Sequence, residues 1–113
     1  MNTVISLKLN TQFQRLYKKG AAAVRPSLVM YARRNGQNRC RLGITAGKKL
    51  GKAVVRNRAK RRLRELYRSS LPRLKSGYDI VLVARGITAS TDFSRLSADF
   101  FAAAKKCGVL TDD

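Results

Sequence analysis

The stretch Gly51-Lys-Ala-Val-Val-Arg-Asn-Arg-Ala-Lys-Arg-Arg-Leu-Arg-Glu-Leu-Tyr-Arg68 carries eight cations and only one acid, Glu65. At 100° per residue it predicts a helix from about residue 53 to residue 69 or 70, with Pro72 beyond its end. One narrow arc holds Val55, Ala59 and Leu66, flanked by Leu63, and is typical of a face packed on a core. The opposite side collects Asn57, Lys60, Arg61, Arg64 and Arg68.

Like charges stand one turn apart on this predicted helix. Lys60/Arg64 and Arg64/Arg68 each repel by about 0.2–0.5 kcal/mol. A solvated helix face normally mixes signs, and here the mixing is almost absent. The pattern therefore favours a polyanionic partner over a solvated face. Arg62 lies near the apolar arc, so its guanidinium has to snorkel around the edge.

The excess of positive charge extends over the whole chain. Its 113 residues predict a single domain, 1–113, and a 44% apolar share suffices for a core. The net charge of +19 predicts nucleic acid or an anionic membrane as partner. No membrane is expected, because no apolar run is long enough to span one and the basic helix carries only short aliphatics.

Cysteine and histidine usage narrows the chemistry. Cys40 and Cys107 are the only cysteines and histidine is absent, which excludes the common zinc ligand sets. The sequence leaves a disulfide open but favours two reduced thiols. The start Met-Asn-Thr-Val-Ile-Ser-Leu-Lys lacks the features of a signal peptide, so a cytoplasmic protein is expected.

Two further helices are predicted. One covers residues 9–19, capped by Asn10 or Thr11 and stopped by Gly20. Its stripe is interpreted as core by default: Leu9, Phe13, Leu16 and Tyr17. The last helix follows the capping cluster Ser90-Thr91-Asp92 and ends at Gly108. Its stripe consists of Phe93, Leu96, Phe100, Ala104 and Cys107.

Strand patterns complete the fold prediction. Residues 27–33 alternate like a strand, and Asn35-Gly36 predicts a hairpin to a return strand over 40–46. A short third strand is expected towards Leu50. The apolar run 78–84 predicts a central strand buried on both faces. The order αβββαβα indicates an α+β, single-domain α/β sandwich with one mixed sheet.

Catalytic chemistry has few candidates. No two acids are close in sequence outside the C-terminal pair, and the common general base is missing. The acids are Glu65, Asp79, Asp92, Asp99, Asp112 and Asp113. Gly43-Ile-Thr-Ala-Gly-Lys-Lys is one residue short of a phosphate loop, with Lys49 where magnesium binding needs Ser or Thr. We therefore expect a binding protein with no catalytic residue and no metal site of its own.

Charge alone does not distinguish DNA from RNA as the ligand. The chain shows no helix-turn-helix, zinc module or heptad zipper. Asn57 among the arginines suits a base edge or a 2′-hydroxyl.

Arg56-Asn-Arg58, within Lys48-Lys-Leu-Gly-Lys-Ala-Val-Val-Arg-Asn-Arg-Ala-Lys-Arg-Arg-Leu-Arg64, resembles the signature of bacterial ribonuclease P protein subunits. Other segments of that family occur here in the same order, so that the resemblance covers most of the chain. They are Phe13-Gln-Arg-Leu-Tyr17-Lys-Lys-Gly20, Leu28-Val-Met-Tyr31, Gly43-Ile-Thr-Ala-Gly-Lys-Lys and Asp79-Ile-Val-Leu-Val-Ala-Arg85.

The resemblance implies both activity and fold. In the family a catalytic RNA removes the 5′ leader of precursor tRNA, with magnesium held chiefly by the RNA and none bound by the protein alone. One protein per catalytic RNA is expected. The implied fold is ribosomal protein S5 domain 2-like, with a left-handed βαβ crossover through the RNR helix, against the usual hand.

The resemblance also implies two binding surfaces. The residues expected to face the catalytic RNA or nearby substrate are Lys48, Lys49, Lys52, Arg56, Asn57, Arg58, Lys60, Arg61, Arg64 and Arg68. A cleft between the first helix and the sheet would hold the single-stranded leader, at Phe13, Tyr17 and Tyr31. This interpretation leaves the rings of Phe13 and Tyr17 partly open to bases, whereas the default interpretation buries them.

Two alternatives stay open at this stage. A structural ribosomal or RNA-chaperone protein explains the charge and the fold equally well, but it does not predict an aromatic cleft beside the basic helix. A stand-alone nuclease lacks the acids and histidines that it would need.

Overall fold

The computed structural model describes residues 4–111. The elements are α1 (Asn10–Lys19), β1 (Ala21–Val24), β2 (Leu28–Arg34), β3 (Arg41–Thr45), α2 (Ala53–Ser70), β4 (Tyr78–Ala84) and α3 (Phe93–Cys107). Short 3-10 turns, Lys48–Leu50 and Leu71–Arg73, flank α2. The predicted order αβββαβα is confirmed. Expectations about residues 1–3, 112 and 113 lie outside the described range.

The four strands form one mixed sheet in the order β1-β2-β4-β3. β2 is antiparallel to β1 and β4, and β3 is parallel to β4. The predicted hairpin between β2 and β3 is therefore wrong, because β4 lies between them. The turn itself exists, since Gly36 adopts φ +72° and the Asn35 side chain accepts a hydrogen bond from the amide of Gln37. It redirects the chain without pairing its flanking strands.

The third strand lies elsewhere than expected. The segment towards Leu50 is a 3-10 turn, and the extra strand is β1, whose three alanines and one valine give no strand pattern. β1 follows α1 directly at Gly20, which ends the helix as predicted. A Cβ on Gly20 would lie 2.7 Å from the carbonyl oxygen of Leu16, so that only glycine permits this sharp exit.

The sheet is covered unequally on its two faces. α2 and α3 cover one face and build the larger core with residues of β2 and β4, among them Leu28, Met30 and Leu82. α1 crosses the other face, where Leu16 and Leu7 cover Val81. β4 is thus flanked by a hydrophobic cluster on each side, as its apolar run predicts.

The helices differ from the predictions at their ends. Val55, assigned to the apolar arc, is 37% exposed because it lies in the first turn of α2, before the helix reaches the core. Neither Asn10 nor Thr11 caps α1. Leu9 takes the cap position, and the Gln12 side chain accepts hydrogen bonds from the amides of Lys8 and Leu9.

The crossover between β3 and β4 runs through α2, and the two strands are parallel neighbours. This is the βαβ unit that the family resemblance implies, and its hand stays a prediction. None of the helices within residues 4–111 is long and apolar enough to cross a bilayer.

Both cysteines are free thiols. Cys40 is buried beside Tyr67 and donates to the carbonyl of Lys75. Burial raises the pKa of both thiols, that of Cys107 to about 11, so that neither is a reactive thiolate near neutral pH.

Candidate nucleic-acid interface

Most of the cations of α2 lie on the side of the helix that faces away from the core. Its other side is anchored by Ala59, Leu63, Leu66 and Tyr67, all buried. Most of the predicted contact residues of α2 accordingly lie away from the buried side. Five are exposed and two are half-buried: Asn57, Arg58, Arg61, Arg64 and Arg68 in the first group, Arg56 and Lys60 in the second.

Three lysines extend this surface past the start of α2. Lys48 and Lys49 lie in the preceding 3-10 turn, Lys52 is at the N-cap, and all three are exposed. Gly51 makes the chain reversal possible by adopting φ +132°. No acid occupies the first turn of α2, so these cations add to the positive end of the helix dipole.

We call these ten residues the basic face: Lys48, Lys49, Lys52, Arg56, Asn57, Arg58, Lys60, Arg61, Arg64 and Arg68. Its cations are almost free of internal partners. In residues 4–111 only Arg68 among them pairs with an acid, Glu65, and both side chains are more than half exposed. Such a pair contributes little to stability and is readily exchanged for an external anion.

Arg56 and Arg62 have contrasting surroundings. The Nε of Arg56 is shielded from solvent and has no acceptor within the described part of the chain, so its hydrogen-bonding capacity is unsatisfied. Arg62 instead donates to the carbonyls of Thr88 and Thr91 at 2.8 and 2.6 Å, 5.8 Å from the Phe93 ring centroid. Arg62, which was predicted to snorkel around the edge of the apolar arc, thus bonds internally to the loop before α3.

The predicted aromatic residues lie on the opposite face of the sheet from α3. Tyr17 of α1 and Tyr31 of β2 pack edge to face, with centroids 5.0 Å apart. Tyr17 is 37% exposed, while Phe13 and Tyr31 are half-buried over the cluster of Leu16 and Val81. The three rings form what we call the aromatic cleft. The default interpretation of α1 is confirmed for Leu16 and wrong for Tyr17 and Leu9, which is 60% exposed.

Gly43 determines where Phe13 lies. A Cβ on Gly43 would be 2.5 Å from Cε1 and 2.6 Å from Cζ of Phe13, so the ring rests directly on the backbone of β3. Phe13 and Gly43 line a surface depression that is also lined by Lys60 and Arg64 of α2. The aromatic cleft and the basic face therefore adjoin at Phe13. Sequence reasoning assigned Gly43 no role, although a glycine inside a strand indicates close approach of another group.

The acids within residues 4–111 do not assemble into a centre. Asp79 and Asp99 pair with Arg41 and Arg25, and Glu65 pairs with Arg68. No group of three or more His, Cys, Asp or Glu side chains in the described range is arranged to hold a metal ion. What the arrangement offers is a surface for phosphates next to a surface for bases.

Comparisons with known proteins identify relatives over nearly the full chain. A sequence model of the family described as Ribonuclease P matches residues 1–108. The ribonuclease P protein component of Natranaerobius thermophilus is 36% identical over 97% of this chain and 96% of its own length. That of Caldanaerobacter subterraneus is 44% identical over 80% of this chain and 78% of its own.

Solved structures agree with the sequence relatives. The Staphylococcus aureus RNase P protein superposes with a TM-score of 0.83 at 31% identity, covering 96% of this chain and 100% of that one. The Thermotoga maritima RNase P protein gives 0.77 at 31% identity, covering 86% and 92%. The similarity therefore extends to the whole fold.

Proposed function

The chain belongs to the bacterial ribonuclease P protein family, and we propose that it serves the holoenzyme through two adjoining surfaces, the basic face and the aromatic cleft. It is the protein component of an endoribonuclease that matures the 5′ end of tRNA, with the catalytic RNA and precursor tRNA as partners. Family membership decides against a ribosomal or RNA-chaperone protein, which composition alone left open.

The basic face is proposed to bind the catalytic RNA. Its support is that the cations lie along α2 and the turn before it and, Arg68 excepted, pair with no acid within residues 4–111. If about six phosphates are neutralised, log K falls with log salt concentration at a slope near −5, about a thousandfold between 50 and 200 mM. The protein thereby reduces the repulsion between the catalytic RNA and its polyanionic substrate.

The aromatic cleft is proposed to hold the single-stranded leader. The observation that carries this assignment is the partly open Tyr17–Tyr31 pair beside Phe13 and the basic face. Each stacked base contributes about 1–3 kcal/mol, and stacking tolerates any sequence. Because mature tRNA has no leader, such contacts favour the precursor over the product.

The chemistry itself is proposed to reside in the RNA. Magnesium would be held chiefly by RNA and none by the protein alone, in keeping with described acids that are dispersed or bonded to arginines. We propose one protein per catalytic RNA, because each chain offers a single contiguous basic face. The substrate of the reaction makes the cytoplasm its expected location.

Cleavage of precursor tRNA at low magnesium tests the proposal. Three reactions are compared: catalytic RNA alone, protein alone, and both together. Only the combination is expected to cut efficiently, because the protein replaces part of the cation requirement of the RNA. Cutting by the protein alone would contradict the assignment of chemistry to the RNA.

A further inference from the structure

A second concave site lies on the other flank of α1. Phe13 and Tyr17 face the aromatic cleft, whereas Gln12 and Arg15, about a quarter turn or more away, line a cavity of about 260 Å³. None of its lining residues belongs to the basic face or the aromatic cleft. The charged ones are four arginines and one carboxylate: Arg15, Arg33, Arg34, Arg41 and Asp79.

Strand register explains why this cavity keeps its positive charge. Arg33, Asp79 and Arg41 are cross-strand neighbours on β2, β4 and β3, so that Asp79 stands between two arginines. It bonds Arg41 through both carboxylate oxygens, each at 2.8 Å, and accepts a further bond from Asn35 at 2.9 Å. Its three hydrogen bonds all come from Arg41 and Asn35, and none from Arg33.

The remaining arginines have no acid to pair with. In residues 4–111 no salt bridge involves Arg15, Arg33 or Arg34, and Asp79 is the only acid in the lining. Arg34 projects from the other side of β2, where its guanidinium lies 5.8 Å from the Tyr78 ring centroid. The guanidinium groups of Arg15 and Arg33 share the cavity and repel one another, and a merely solvated set would gain from spreading over the convex surface. The planar fork of arginine matches two oxygens of a phosphate. The chemistry of the cavity is that of a phosphate site.

The adjoining grooves indicate which phosphate can reach it. The neighbouring depression shares Gln12 and Arg41 with this cavity and extends to Ser6. Ser6 also lines the depression that contains Phe13 and Lys60. A groove therefore runs around the N-terminal end of α1, from the aromatic cleft to the arginines. A flexible single strand can follow such a curved groove, whereas a rigid A-form duplex cannot.

We propose that Arg15 and Arg33 form an arginine pocket that binds one phosphodiester of the precursor leader, beyond the bases stacked in the aromatic cleft. This inference rests on the proposed function, because it extends the path of the leader. The pocket adds affinity only for substrates whose leader is long enough to pass around α1. Leader length thereby becomes a determinant of substrate affinity.

The test measures the affinity of the assembled holoenzyme for precursor tRNAs with leaders of increasing length, and for mature tRNA. Arg33→Gln is expected to lower affinity for long-leader precursors about threefold to tenfold, between the effects of an exposed ion pair and a charged hydrogen bond. Affinity for mature tRNA and the affinity of the protein for catalytic RNA are expected to stay unchanged. Arg15→Gln serves as the second variant, with folding checked by thermal unfolding.

A neutral linkage locates the contacted phosphate. Single methylphosphonate substitutions along the leader are expected to weaken wild-type binding at one position and to have no further effect there in Arg33→Gln. Arg33→Lys keeps the charge but loses the planar guanidinium. Its affinity for long-leader precursors is expected to lie between those of the wild type and Arg33→Gln. Arg95→Gln removes an exposed charge from α3 and is expected to leave leader discrimination intact.

The outcomes separate the pocket from the proposed function. An equal loss for mature and precursor tRNA, or a loss confined to the catalytic RNA, would overturn the pocket as a leader site. If Tyr17→Ala affects leader binding and neither Arg33→Gln nor Arg15→Gln does, the pocket fails and the aromatic cleft stands. If Tyr17→Ala has no leader effect either, both assignments fail.

Discussion

Tyr17 of α1 and Tyr31 of β2 meet edge to face, with centroids 5.0 Å apart and ring planes at 74°. Such a pair contributes about 0.5–1.5 kcal/mol beyond its buried area, so each ring fixes the orientation of the other. Tyr31 is half-buried and Tyr17 is partly exposed, which leaves aromatic surface available without rearrangement. A site ordered in advance loses less conformational entropy when a base stacks on it.

The first prediction concerns this pair. Tyr17→Ala is expected to weaken precursor tRNA binding about fivefold to 150-fold, the equivalent of one stacked base, and to leave mature tRNA binding unchanged. Tyr17→Phe keeps the ring and is the matched control, expected to bind both as the wild type does. Fluorescence titration of the holoenzyme with each RNA measures the ratio. Equal losses on both RNAs would rule out the leader assignment.

The second prediction concerns an exposed cation of the basic face. Arg61→Ala is expected to weaken binding of the catalytic RNA. It should also reduce the magnitude of the slope of log K against log salt concentration by about 0.9, because one phosphate contact fewer means that fewer counterions are released on binding. Lys105→Ala removes an exposed charge from α3 and should leave the slope as it is. Binding is measured from 50 to 400 mM salt. A slope unchanged by Arg61→Ala would count against a phosphate contact.

The third prediction separates the neighbour of Arg61 from the interface. Arg62 donates to the carbonyls of Thr88 and Thr91, so Arg62→Ala is expected to lower the free energy of unfolding by about 1–3 kcal/mol. The salt slope of RNA binding should not change under conditions where the variant is folded. Urea unfolding and the salt titration together measure both quantities. A reduced slope with unaltered stability would place Arg62 on the RNA instead.

Local patterns were sufficient to predict α2 and its two sides. Eighteen residues with helical periodicity specify a helix whatever surrounds them, and Ala59, Leu63 and Leu66 are buried as that periodicity requires. Strand pairing was not predictable in this way. Asn35-Gly36 signals a turn, yet the partner of β2 is decided by the distant apolar run Tyr78–Ala84, which takes the central position.

The functional sites were likewise predictable only in part. Phe13, Tyr17 and Tyr31 could be named because they occur in segments resembling a family, and the structure places them together. The arginine pocket could not, because Arg33, Arg41 and Asp79 become neighbours only through the register of three strands. β1 could not be predicted either, because its four residues, three of them alanine, are too few and too uniform to show the alternation of a strand.

The fourth prediction uses the contact between Gly43 and Phe13. Gly43→Ala places a methyl group within 2.6 Å of two ring atoms, so that Phe13 has to move. We expect a loss of about 1–3 kcal/mol in the free energy of unfolding and weaker discrimination between precursor and mature tRNA. Gly47→Ala is the matched control, since its Cβ would meet nothing within 4 Å. Unaltered stability in Gly43→Ala would show that the ring does not rest on this strand.

The fifth prediction concerns Asp99 of α3. Its buried carboxylate accepts two bonds from Ser27, at 2.6 and 3.0 Å, and pairs with Arg25. Burial alone raises the pKa of Asp99, but the Ser27 bonds and Arg25 outweigh it, so this pKa lies below its ordinary 3.8.

The stability that Asp99 provides is therefore complete above about pH 5 and is lost as pH falls through its lowered pKa. Asp99→Asn should reduce the free energy of unfolding by about 1–3 kcal/mol at pH 7. This gap should narrow below about pH 4, where the unfolded wild type binds a proton that the folded state, with its lowered pKa, does not. Asp92→Asn, at the exposed cap of α3, should show neither effect in urea unfolding from pH 3 to 7. A gap that is constant across that range would mean that the charge of Asp99 does not stabilise the attachment of α3.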